Sequence, residues 1–265
     1  MLALAAVAAV LLLARDGDDD EIEQRRAAVS AYIVQVNTTQ QALIVQLEQV
    51  SRAYRELRLR ERPVPGQLER VEAAEETLRG LRTRLAALDA PPEARTLRAG
   101  LLELIDLQAG LAAEVAGMVR YLPVQAAENR RLAAATETLR DALTEAETGA
   151  AQREAFDVFR AALQRSARTL DEASAPDVLE PSRTGEVARL ERLATLARQI
   201  GQALEDAEAE DVDRLFPQFV QTSASTGTTK AERDAVIAFN KKLAAVADQR
   251  AEVVRERARV DLNLR

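Results

Sequence analysis

Between Val29 and Leu57, nine positions are spaced alternately four and three: Val29, Ile33, Val36, Gln40, Leu43, Leu47, Val50, Tyr54 and Leu57. A spacing that averages 3.5 keeps one stripe on one side of a helix. It excludes a strand, where side chains alternate every two residues. The stripe predicts a helix over about 20–60, roughly 60 Å long at the α-helical rise. Acids precede it, and Arg52, Arg55, Arg58, Arg60 and Arg62 gather at its far end, so both ends complement the helix dipole. Pro63 and Pro65 stop it.

The same logic runs down the chain. Leu68, Val71, Ala74, Leu78, Leu81, Leu85 and Leu88 predict a second helix, and Pro91-Pro92 breaks it. Leu97, Leu101, Leu104, Gln108, Leu111, Val115, Met118 and Leu122 predict a third, which Pro123 is expected to end or kink. An Ala-rich helix over about 124–147 follows. Phe156, Phe159, Leu163 and Leu170 mark the next, and Val187, Leu190, Leu193, Leu196, Ile200 and Leu204 the one after. A short segment around Pro217 holds Val212, Leu215, Phe216, Phe219 and Val220; a Ser/Thr/Gly loop at 222–229 follows, then a last helix over about 229–262. The fold class is therefore all-α, an antiparallel multi-helix bundle with coiled-coil-like heptad seams.

A shift of 85 residues brings the pattern back. Val71 meets Phe156, Leu78 meets Leu163, Leu85 meets Leu170, Pro91 meets Pro176 and Gly100 meets Gly185. At a shift of 111, the stretch from Asn129 to Ala135 meets Asn240 to Val246. The difference is an insertion of 26 residues near 205–230, which contains the segment with Phe216 and Phe219. The expected organisation is an apolar segment at 1–15, a long helix at 16–62, a three-helix unit at 66–149 and a second at 150–265 that carries the insertion. Asn129 and Asn240 are expected to share a buried hydrogen bond or a helix-end contact.

Composition excludes more chemistry than it admits. With no His and no Cys among 265 residues, His-based triads, thiol nucleophiles and the usual zinc sites cannot be built. A net charge of -7 argues against nucleic acid as a partner. The acidic runs at 16–23 and 205–213 lack the spacing of a calcium loop, Glu72, Glu75 and Glu76 lack the His of a di-metal carboxylate motif, and Gly227 to Lys230 is not a phosphate-binding loop. The expectation is a non-enzymatic chain without cofactor or metal.

Leu2 to Ala14 contains no polar residue, and Arg15 and an acidic run follow. The stretch suits a signal-peptide core or a short anchor, although a full span needs about 20 residues. The expected localisation is the cell membrane, single-pass, with the helical body extracytoplasmic; the alternative is secretion after cleavage. The expected partners are the membrane, through this segment, an unidentified protein, and a second copy of the chain through the first helix.

Four residues stand out as candidate binding positions. Gln40 and Gln108 each interrupt an apolar seam near its centre; they set the register of a core, turn to solvent at the seam's edge, or reach a ligand inside the bundle. Phe216 and Phe219 sit in the insertion, and with Phe156, Phe159 and Phe239 they either fill ordinary core or line an apolar pocket. The functional expectation is an interaction or envelope scaffold. The alternative is a small-ligand sensor or carrier with an apolar cavity in the second unit.

Overall fold

The computed structural model describes residues 2–60, 64–224 and 228–263, with side chains in those ranges except at 2–21, 58–60, 228, 229, 232 and 263. Among the described residues there are seven α-helices and no strand. They are α1 (Leu2–Arg60), α2 (Gln67–Ala87), α3 (Arg95–Glu145), α4 (Gly149–Glu172), α5 (Glu180–Glu205), α6 (Ala209–Ala224) and α7 (Thr228–Asn263), with a 3-10 turn at Pro92–Ala94 before α3. The protein is an all-α bundle.

Its boundaries follow from local chemistry. Gly66 takes a left-handed φ of 71° before α2, which glycine tolerates best. Gln67 then acts as a buried clamp: its Oε1 accepts from the Val64 N–H at 2.8 Å, and its Nε2 donates to the Ala53 carbonyl at 2.6 Å. Thr148 caps α4 by accepting from the Ala151 N–H at 3.2 Å. A methyl group on Gly149 would lie 2.3 Å from the Leu204 carbonyl oxygen, so the start of α4 and the end of α5 meet as closely as backbones can.

Three boundaries differ from the sequence expectation. Helix α1 starts at Leu2 rather than near Asp20, since Ala and Leu are strong helix formers and only Gly17 interrupts the way to the seam. Helix α3 passes through Pro123 unbroken for 51 residues, so 66–149 holds two long α-helices and not three. An interior proline costs about 3 kcal/mol. Burial of Met118, Val119 and Tyr121 just before it, each at 6% exposure or less, offsets that. The expected loop at 222–229 is also shorter. Helix α6 reaches Ala224, with the Ser223 hydroxyl donating to the Val220 carbonyl at 2.8 Å, and α7 begins at Thr228. Only 225–227 of that stretch lie outside the described residues.

The chain divides into two compact units. Unit 1 comprises Met1–Arg52, Glu72–Ala112 and Lys242–Arg265; unit 2 comprises Ala53–Val71 and Ala113–Lys241. Unit 1 buries Val29, Ile33, Val36, Leu43 and Val50 of α1, Leu78, Leu81 and Leu85 of α2, Leu97, Leu101, Leu104 and Ile105 of α3, and Val246, Val253 and Val260 of α7. Unit 2 is built around the antiparallel hairpin α4–α5, with Phe156, Phe159, Leu163, Leu170, Leu190, Leu193 and Ile200 in its core. The hairpin turn sits on α3: a methyl on Gly117 would meet the Pro176 Cβ at 2.8 Å, and Glu114 accepts from the Val178 N–H at 3.4 Å.

The 85-residue shift relates the starts of α3 and α5 but not those of α2 and α4, Gln67 and Gly149. Helices α3 and α5 begin at Arg95 and Glu180. Leu78 and Leu163, Leu85 and Leu170, Ile105 and Leu190, and Val115 and Ile200 are all buried. Asn129 and Asn240 are both exposed, so neither makes the buried contact expected of them. Each follows a buried position, Glu128 and Phe239, and so points off the core side of its helix.

Candidate functional site

Helices α1, α3 and α7 of unit 1 enclose a cavity of about 170 Å³. Leu43, Leu104 and Val253 form its buried apolar wall, and Leu47 adds to it. Ile44 and Val254, 41% and 58% exposed, carry the apolar lining outward at the mouth. Four polar residues complete the lining: Gln40 from α1, Gln108 from α3, and Arg250 and Arg257 from α7. The two glutamines that interrupt separate seams thus converge on one space.

They are not equivalent. Gln40 is half-buried, and its Oε1 accepts a hydrogen bond from the Arg257 guanidinium. Gln108 is 3% exposed, and its Oε1 has no hydrogen-bond partner. A buried acceptor left unpaired costs about 1–3 kcal/mol. Leucine, the residue the seam calls for at 108, would avoid that cost.

Arg250 and Arg257 lie seven residues apart on α7 and so share a face. Arg250 is exposed. Arg257 keeps 31% of its side chain exposed and has Asp261 at 3.8 Å as its ion-pair partner. A guanidinium has five N–H donors, so one hydrogen bond to Gln40 and one loose ion pair leave Arg257 able to hold another acceptor. Sequence reasoning missed both arginines. The only signal was their spacing, one heptad apart on either side of Val253.

The aromatic candidates lie in unit 2. Phe219 packs edge-on against Phe156 and Phe159 at centroid distances of 6.1 and 6.0 Å. Phe216 stacks on Phe219 at 6.4 Å and is 45% exposed. Phe239 is buried against Tyr54, rings 4.0 Å apart. Phe156, Phe159, Phe219 and Phe239 are thus core residues. A wide groove of about 400 Å³ along α3 and α4 is lined by alanines with Leu139, Val158 and Phe159, and it involves neither Phe216 nor Phe219.

Gln108 is not alone in its unpaired atom, since the Tyr32 and Tyr121 hydroxyls are also buried without a partner, while the buried carboxylates of unit 2 are paired. Buried Glu128 accepts from the Ser166 hydroxyl at 2.8 Å and pairs with Arg131. Buried Glu186 takes both Arg189 donors, at 2.8 and 2.5 Å, which raises the Arg189 pKa. The groove between α4 and α5 combines Arg160, Arg168 and Arg198 with Asp171 and Glu191, so most of its charge cancels. Among the described residues no group of three or more acidic, His or Cys side chains is placed to hold a metal, and no helix is long and apolar enough to cross a membrane. The apolar segment at 1–15 lies outside the residues whose side chains are described.

No family model matches the chain, and no curated protein or solved structure matches it.

Proposed function

We propose that the protein is a non-enzymatic ligand-binding module, a sensor or carrier, whose site is the unit 1 cavity. One observation carries this reading. Gln108, buried with its amide oxygen unpaired, is one of the residues lining an apolar cavity with two arginines at its mouth. Stability alone would favour an apolar residue at that position. A polar group kept there at a cost fits a site that binds. In the same reading the segment at 1–15 anchors the chain in a membrane with the helical body outside the cytoplasm. The second half of the chain is then a duplicated copy of α2–α3 with α6 as its insertion.

The test is ligand-observed NMR of the full chain with a mixed set of small organic acids, amides and amines. Binding by the wild type that is lost in Leu104→Trp, which fills the cavity, supports the proposal. Binding unchanged by the filled cavity, or none at all, overturns it.

A second reading, an interaction scaffold, rests on α6, where Phe216 and Val220 are 45% and 47% exposed. Capture of a membrane partner by crosslinking, lost on Phe216→Asp with Val220→Asp, would support it. Capture unchanged by that double substitution would remove α6 from consideration.

A further inference from the structure

We infer that the protein pairs with a second copy of itself through the outer face of α4, the two α4 helices running antiparallel across a twofold axis.

Spacing comes first. Along α4, Ala151, Glu154, Val158, Ala161, Arg165 and Arg168 are spaced three, four, three, four and three. They form a second heptad stripe, apart from the one that buries Phe156, Phe159, Leu163 and Leu170. Every member except half-buried Ala151 is exposed, Val158 at 59%. Grooves flank this stripe on both sides. One is the wide groove along α3 and α4; the other is bordered by Ala150, Arg153, Asp157 and Ala161. Glu154 and Val158 line both, so they stand as a ridge between them.

Shape then admits a like helix. In coiled-coil packing, a side chain enters the hole between four residues of the facing helix. The hole made by Val158, Ala161, Ala162 and Arg165 has alanine at its two central positions, which leaves room for a valine and lets two backbones approach closely. A copy of α4 turned end for end about the midpoint between Phe159 and Arg160 sets Val158 against the partner subunit's Ala161. The same turn sets Glu154 against the partner subunit's Arg165. A twofold interface must be self-complementary, and this face is so in both shape and charge.

Charge selects the partner and its direction. Arg153 and Arg160 are each paired with Asp157 within α4. Among the described residues, neither Glu154 nor Arg165 has an ion-pair partner in its own chain. Parallel pairing would bring each against its own like charge in the second copy. A uniformly acidic or basic partner would be repelled by one of the two. An antiparallel copy satisfies both. The stripe runs for about 25 Å, which places the contact at the weak end of interface sizes, with a dissociation constant on the order of 10–100 μM.

Sedimentation equilibrium of the full chain in a density-matched detergent, from about 1 to 300 μM, brackets that range. The wild type is expected to pass from monomer to dimer. Glu154→Arg and Arg165→Glu each turn two attractions into two repulsions, and each alone is expected to weaken the dimer on the order of ten-fold or more. An equimolar mixture of the two variants is expected to regain it, because each supplies the charge that the other lacks. Register is read separately. The chain has no cysteine, so a Val158→Cys chain mixed with an Ala161→Cys chain should form a disulfide-linked dimer under mild oxidation, faster than either alone. All four positions are exposed, and thermal melts check that each variant folds.

A wild type that stays monomeric throughout overturns the inference. A dimer that both charge reversals leave intact runs through another face, such as α1, and also overturns it. Failure of the mixture to regain the dimer, or of the paired cysteines to link faster than the single ones, overturns the antiparallel register.

Discussion

Unit 1 and unit 2 solve the same packing problem with different side chains. All five phenylalanines belong to unit 2, whereas the part of α1, α2, α3 and α7 that forms unit 1 has Tyr32 as its one aromatic ring. In unit 2 the rings of Phe156, Phe159 and Phe219 interlock edge to face within the core. In unit 1, leucines and valines on three helices leave a void, and two amides border it. The aromatic unit carries its open space as grooves along α3, α4 and α5, and the aliphatic one as a small cavity with polar residues in its lining.

The largest test of that contrast is a pair of truncations. Phe156→Ala removes a ring at 2% exposure from a filled core and is expected to cost about 3–5 kcal/mol. Leu104→Ala removes methyl groups that already face a void and is expected to fall near 2 kcal/mol, the low end for leucine. Urea denaturation of both gives the two numbers; equal losses would erase the distinction between the cores. Gln108→Leu comes next. It removes a buried unpaired acceptor and is expected to stabilise by about 1–2 kcal/mol. A destabilised Gln108→Leu would mean that the amide serves the fold.

Tyr121 in unit 2 sharpens the comparison, because its hydroxyl is also buried without a partner but Tyr121 lines neither the unit 1 cavity nor the grooves along α3, α4 and α5. Tyr121→Phe is expected to stabilise by about 1 kcal/mol with no effect on ligand binding. Burial pushes the Tyr121 pKa above 10.0, with Arg183 opposing it. The folded state favours the neutral phenol, so that stability is complete below pH 10.0 and is lost as pH rises through the folded value. Alkaline melts of Tyr121→Phe should therefore fall off less steeply. The smallest effect is acidic. A hydrogen bond from Arg183 holds the Glu180 carboxyl below its ordinary 4.5. Its stabilisation is present above that value and is lost as pH falls through the lower folded one. Glu180 is 45% exposed in its side chain, so Glu180→Gln should flatten the acid limb by only a few tenths of a kcal/mol.

Heptad spacing and proline positions made most helices readable in the sequence, because both act through residues next to one another. The continuity of α3 was not readable. The cost of Pro123 is local, while the burial of Tyr121 and Val119 that offsets it depends on partners elsewhere in the chain. The site was half readable. Gln40 and Gln108 announced themselves by interrupting apolar stripes, but their convergence depends on how α1 and α3 pack within unit 1. Arg250 and Arg257 gave almost no sign, since arginines are abundant along this chain and spacing alone does not separate two from the rest. Phe219 is drawn into an existing aromatic core, so its prominence in the sequence reflects packing.

The hydrogen bond between Gln40 and Arg257 joins residues 217 positions apart. On a ribosome adding about 5–20 residues each second, the walls contributed by α1 and α3 exist for several seconds before α7 emerges. During that interval Leu43, Leu104 and Gln108 face water, whereas the α4–α5 hairpin closes on contacts made within its own stretch. The candidate site is thus the last part of the molecule to come into being, and any chain that stops before Arg250 is made without it.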